Sequence, residues 1–393
     1  MQSKNRKFRV VDENHSPDPR IPNVKRKRVW KKSTLLFAGG LLLLVLVIFG
    51  IIYFRTYTSV RVSETYALSG AANSSYKTFA KGVLKYSRDG VAYVNEKGEE
   101  QWNQSCQLKT PIVKVMGDCA AIADEGGNDI FIFDKNGEKG EVHTTLPIEK
   151  IAVSGQGIVS AIVKNESAPE IVCYDTAGNL LVEHQASLGG TGYPLDVSMS
   201  EDGEVMQAVY MRVQGGKLIS KVAYYNFGTA GENVKDHEVA KKEYKDSVLA
   251  DGFYMKGNVS AVAGDNCLTF FDGKETPKEV TTVTINKQIQ SISHNEKYVG
   301  MLLKNTGKDG YELRLYNTSG KKVLSKEIKK NYRNIRICGN QVILFDGKKC
   351  SIYLKNGIHK FEGTMDDSIL EIVPVFGVNK YIVLDVNGMD NIR

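Results

Sequence analysis

Two hydrophobic patterns divide this chain. Residues 33–54, STLLFAGGLLLLVLVIFGIIYF, are apolar without a single charge. At 1.5 Å per residue a helix of that length reaches roughly 33 Å, enough to cross a hydrocarbon core of about 30 Å. Beyond it the apolar positions fall into short strand-like runs, each ending in an aromatic residue or Asp/Asn and then a turn that carries glycine. The phrase recurs as GVAYVNEKGEEQW around Gly98, DIFIFDKNGEKG around Gly137, EIVCYDTAGNLL around Gly178 and VAYYNFGTAGENV around Gly231. It returns as CLTFFDGKETPKEV at Gly273, ELRLYNTSGKKVL at Gly320, SIYLKNGIHKF at Gly357 and YIVLDVNGMDNIR at Gly388. Successive glycines stand 39, 41, 53, 42, 47, 37 and 31 residues apart.

Each phrase reads as two strands and their turn, because Asp or Asn followed shortly by Gly supplies the positive φ that a tight hairpin needs. A second pair of strand-like runs precedes it, as in IEKIAVSGQGIVSAIVK before Gly178 and RNIRICGNQVILF before Gly357. Four short strands at a period near 40 residues make one blade of a β-propeller. A single blade cannot bury both faces of its sheet, so neighbours must stack and the ring must close. The expected fold class is all-β: a propeller ectodomain of eight blades, with seven as the alternative if the terminal units merge, preceded by one transmembrane helix. The last unit stops after about three strands, while a lone stretch, VRVSETYAL, precedes the first full unit. Residues 60–68 are thus expected to supply the missing strand and close the ring. The implied division is a disordered basic tail over 1–32, the helix over 33–54, a juxtamembrane segment over 55–75 and the propeller over 76–393.

Charge sets the expected orientation. Residues 1–33 hold eleven Lys/Arg and three Asp/Glu, which leaves 41 basic and 42 acidic side chains for the rest. The formal charge of +7 therefore belongs to the tail. The body has no basic surplus with which to hold a phosphate backbone, which argues against nucleic acid as a partner. Lys25, Arg26, Lys27, Arg28, Lys31 and Lys32 crowd one flank of the span, against Arg55 and Arg61 on the other. The positive-inside rule then places the N-terminus in the cytoplasm and everything after Phe54 outside, with Trp30 and Tyr53 at the interfaces. A cleaved signal peptide is the competing reading, but its apolar core is usually only about 7–15 residues and no small-x-small site follows here. The expected location is the plasma membrane, crossed once by residues 33–54, with an extracellular C-terminal domain. All six cysteines then fall where disulfides are permitted. Cys106 with Cys119, and Cys338 with Cys350, are close enough in sequence to be candidate bridges, while Cys173 reads as a small core residue.

No motif points to catalysis. The histidines after the span, His143, His184, His237, His294 and His359, fall singly, without HxH or HExxH spacing. The acidic turns DEGGND and SEDG lack the alternating carboxylates of a calcium loop. No GxSxG and no P-loop occurs. Neither a metal site nor a cofactor is expected. The one stretch that invites a ligand is SLGGTGYPLD over 187–196, which joins two units through three glycines. It then presents Tyr193, Pro194 and Asp196 at the start of an inner strand, near the mouth of the channel. The blander alternative is a glycine-rich crossover whose Tyr and Pro pack between blades.

The phrase GVAYVNEKGEEQW resembles the repeat of quinoprotein-like and WD40-like propellers, in which an apolar strand, an Asp/Asn turn with Gly and a closing Trp recur. Only Trp102 supplies that Trp, so the tryptophan docking ring of quinone-cofactor dehydrogenases is missing. Taken whole, with its basic tail, single span, SRDGVAYV, LPIEKIAVSGQG, GYPLDVSMSEDG and VAYYNFG, the chain resembles a family of membrane-anchored propeller proteins of Gram-positive anaerobes. That resemblance implies fold and location and carries no activity. The functional expectation is a non-catalytic platform for an envelope protein or a cell-wall component. The alternative is an envelope carbohydrate-active or cofactor-dependent enzyme with its site at the channel mouth.

Overall fold

The computed structural model describes residues 32–68, 70–166, 168–374 and 380–392; the basic tail, with Trp30, lies outside the described residues. The chain divides into two units between Tyr53 and Phe54. In the first, residues Lys32–Phe54 form one helix. Its stretch Leu36–Phe54 has a mean hydropathy of 2.8 and is long and apolar enough to cross a membrane.

The second unit is a ring of eight four-stranded antiparallel sheets. Blades 1 to 7 are consecutive in sequence, over 75–105, 111–143, 148–185, 193–244, 249–284, 289–328 and 334–364. The first strands of most neighbouring blades touch one another, which makes them the inner strands, around the channel. Burial explains the sequence pattern. The middle strands Val159–Val163 and Glu170–Tyr174 are buried at every position, so they read as continuous apolar runs. The outer strand Leu180–Gln185 alternates exposed and half-buried positions. Cores form between blades: Ile162 and Cys173 of blade 3 pack with Met206, Tyr210 and Tyr225 of blade 4. Trp102 of blade 1 stacks on Phe133 of blade 2, with centroids 4.9 Å apart and planes 13° from parallel.

Blade 8 is stitched from both ends of the propeller sequence. Glu371–Pro374, Tyr381–Leu384 and Gly388–Ile392 give three strands, and Val62–Ala67 gives the fourth, running from Val62 opposite Ile392 to Ala67 opposite Gly388. This closure excludes seven blades. It also corrects the reading of YIVLDVNGMDNIR, which forms the second and third strands of its blade, whereas the other phrases lie on the third strand and the turn that leads to the fourth. That offset of one strand is why the last interval shrinks to 31 residues. Tyr66 of the closing strand packs on the turn of blade 1. A Cβ at Gly98 would lie 2.5 Å from the Tyr66 ring, and φ there is +74°, so both space and backbone require glycine.

All six cysteines are free thiols, so neither candidate bridge forms. Burial pushes Cys173, Cys338 and Cys350 up to about 12, which leaves them protonated and unreactive.

Antiparallel order gives the ring two distinct ends. The crossovers between blades share one end with the turns between second and third strands. The first-to-second and third-to-fourth turns share the other. The chain leaving the helix reaches the ring at this second end. Thr56 Oγ1 donates to the His359 carbonyl at 2.7 Å, and Tyr57 exchanges backbone hydrogen bonds with Lys360 and Glu362 at 2.9 and 3.0 Å. This forms a parallel bridge beside the outer strand of blade 7. Residues 56–67 therefore clasp blade 7 before completing blade 8.

Candidate functional site

Each first strand places a polar side chain at a corresponding register. These are Lys77, Lys114 and Lys150 in blades 1 to 3, Asp196 and Asp251 in blades 4 and 5, Ser291 in blade 6, and Arg336 and Glu371 in blades 7 and 8. The ring is thus divided, with lysines on one side of the channel and aspartates on the other. Several members are tied to one another. Arg336 Nε donates to both oxygens of Glu371, at 3.0 and 2.9 Å, and Lys114 Nζ lies 3.6 Å from Asp196 Oδ1. The backbone N–H of Gly252 donates to Asp196 Oδ2 at 3.0 Å, and Lys77 Nζ donates to the Val113 carbonyl at 2.7 Å.

Confinement moves the proton affinities of this ring. Burial, then the Lys114 and Arg336 charges, lower Lys77 to about 8. Burial, then the Asp196 carboxylate, raise Asp251 to about 6. Burial raises Glu371 against the pull of Arg336. His294 stacks on Phe253 with centroids 3.9 Å apart. The protein packed around it, then Lys114 and Lys77, hold its imidazole down at about 4. Among the described residues no cluster of His, Cys, Asp and Glu suited to a metal ion occurs.

At the crossover end, blade 4 stands out. Its second and third strands, Val205–Gln214 and Lys217–Asn226, have ten residues each, against four to seven in every other blade. Gly215 and Gly216, both at positive φ, close the hairpin with the backbone twist that a two-residue turn requires. The inner strand pairs no further than Met211 and the outer strand no further than Ser220. Residues beyond those points form a two-stranded ribbon with both edges open. Val213 and Leu218 face each other across it and are 70% and 46% exposed. The alternation of side chains puts Tyr193, Met211, Val213 and Leu218 on one face.

The three residues singled out in the sequence separate here. Asp196 is 5% exposed and belongs to the channel ring, held by Gly252 and Lys114. Pro194 is buried opposite Tyr210. Tyr193 is 36% exposed, at the base of the ribbon face, and its hydroxyl donates to Glu149 of blade 3 at 2.5 Å. The glycine crossover packs on the base of the hairpin, since a Cβ at Gly192 would sit 2.7 Å from the Met211 carbonyl oxygen. The rest of the channel ring, and the ribbon, lie outside the stretch that the sequence marks for a ligand, although both leave signals in the sequence. Four inner strands carry a polar residue between apolar ones (VKV, LDV, IRI, LEI), and the interval of 53 residues is the longest between turns, at blade 4.

The family of unknown function DUF5711 matches residues 53–393. No curated protein matches the chain in sequence. Among solved structures, Sqt1 of Chaetomium thermophilum is similar with a TM-score of 0.52 and 10% identity, over 84% of this chain and 98% of its own. BamB of Moraxella catarrhalis gives 0.49 and 13%, over 85% and 99%. At these identities the likeness is one of fold.

Proposed function

This chain belongs to the family of unknown function DUF5711, and from that premise we propose that it is a single-pass, membrane-anchored, extracytoplasmic propeller serving as a non-catalytic platform for a protein partner. One observation carries the reading: the blade 4 ribbon, which projects exposed apolar side chains and two open backbone edges. Such a feature is an aggregation liability in a protein that meets no partner, and it suits strand addition combined with apolar anchoring. The basic flank of the helix supports an outward-facing propeller. The ribbon stands at the end of the ring opposite the one where residues 56 and 57 join blade 7.

The test uses the full chain in intact cells, crosslinked with formaldehyde and captured through a tag. The double variant Val213→Asp with Leu218→Asp should fold like the parent and lose its discrete crosslinked partner. An unchanged set of adducts would refute docking at the ribbon. Protease added to the same cells should remove the propeller; a protected C-terminal body would refute the orientation.

The channel favours a second reading. Lys77 near 8 and Asp251 near 6 place an acid and a base, respectively, close to neutral pH, as acid–base catalysis needs. Turnover of envelope glycans or redox dyes by the parent, lost in both Lys77→Met and Asp251→Asn, would establish an enzyme in place of a platform.

A further inference from the structure

Beneath the clasp, at the end of the ring where the chain from the helix arrives, lies a cavity of about 530 Å³. Small-ligand pockets run from roughly 300 to 1,000 Å³. Its walls are apolar: Phe361 and Met365 on the blade 7 side, Tyr381 and Ile392 on the blade 8 side, and Val60 from the clasp. Its polar lining is cationic. Arg61 is exposed, Lys360 Nζ lies 5.7 Å from the Tyr57 ring centroid, and among the described residues no carboxylate lines the cavity. Outside the lining, the Arg55 guanidinium lies 5.1 Å from the centroid of the same Tyr57 ring. Tyr57 is three residues beyond Phe54, where the helix ends, and three residues span at most about 11 Å.

We propose that this pocket takes an anionic glycerophospholipid, one acyl chain between blades 7 and 8 and its phosphate against Arg61 and Lys360. The proposal rests on reading the helix as a membrane anchor, because the anchor keeps this end of the ring within reach of a bilayer. An acyl chain moving from bilayer to apolar cavity exchanges one apolar environment for another. Selectivity therefore falls on the head group, where two cations meet one phosphate. Occupancy binds the clasp to the seam and stabilises the closed ring by linkage.

The test takes the full chain in neutral detergent and adds phosphatidylglycerol, phosphatidylcholine or oleate in separate arms, with native mass spectrometry as the readout. One phosphatidylglycerol should be retained per chain, in preference to the other two. Arg61→Ala should weaken retention roughly fivefold, the attraction of one basic residue for anionic lipid. Met365→Trp, which fills the cavity, should abolish it; if that variant does not fold, Arg61→Ala decides. Equal retention of phosphatidylcholine, preference for free oleate, or no effect of Arg61→Ala would overturn the proposal. Flotation with membranes is scored separately. A chain that does not float refutes the anchor, whereas one that floats and retains no phosphatidylglycerol refutes the pocket alone.

Discussion

Blades 4 and 8 occupy opposite positions in the ring and are built in opposite ways. Blade 4 is one continuous stretch with the longest strands in the molecule. Its interior is hydrogen-bonded into blade 5: Ser198 Oγ donates to Gln207 Oε1 at 3.0 Å, Gln207 Nε2 donates to the Tyr224 hydroxyl at 2.8 Å, and that hydroxyl meets Ser260 Oγ at 2.8 Å. Blade 8 has strands of four to six residues and depends on a segment more than 300 residues away in sequence for its outer edge. The contrast separates two tasks. A hydrogen-bonded blade carries an exposed apolar ribbon without disturbing its own fold, and a stitched blade holds the ring shut.

The largest effect should come from breaking the stitch. Replacing residues 62–67 with a Gly/Ser run of equal length leaves the helix attached but removes the outer strand of blade 8. Thermal melting should lose its cooperative transition or fall by more than about 10 °C, with aggregation through the exposed edge. Unchanged melting would show that closure does not depend on this strand.

A smaller loss is expected on the blade 4 side. Gln207→Leu leaves the Tyr224 and Ser198 hydroxyls short of a buried partner, at a cost of about 1–3 kcal/mol per unsatisfied group. Denaturant unfolding should register this. An equal midpoint for parent and variant would show that the network is not needed for the rigidity of the blade.

The next effect is one of pH. Lys77, beside the seam in blade 1, has its folded pKa lowered from 10.5 to about 8. Its contribution to stability is therefore fully present above about 10.5 and is lost as pH falls through about 8. The parent should gain stability between those values, and Lys77→Met should lack that part of the gain. Identical pH profiles would contradict the confinement of this ammonium.

The smallest effect on stability should be at the ribbon. Val213→Asp with Leu218→Asp alters only exposed side chains, so melting should stay within about 0.5 kcal/mol of the parent. A large destabilisation would mean that the ribbon supports the blade and is not free for docking.

Blade 8 and blade 4 were also unequally legible in the sequence. The need for a closing strand followed from counting, because a sheet short of one strand at one terminus and a lone strand at the other solve each other. The clasp on blade 7 left no such signal, since Thr56 and Tyr57 make backbone bonds that any sequence can make. Asp196 was recognised as an inner-strand residue, but its neighbours Lys114 and Asp251 come from other blades, and convergence across a channel is not written in local spacing. Tyr193 was singled out for its place after three glycines. Its significance lies in its alignment with Met211 and Val213, which only the register of blade 4 reveals.

The most direct measurement places a photo-crosslinking amino acid at position 213 of the full chain in intact cells, with position 280 as the reference. Val280 is 46% exposed, on the outer strand of blade 5, away from the ribbon. Docking on blade 4 predicts a discrete protein adduct from position 213 and none from position 280. Matching adducts from both positions, or none from position 213, would contradict a platform built on that blade.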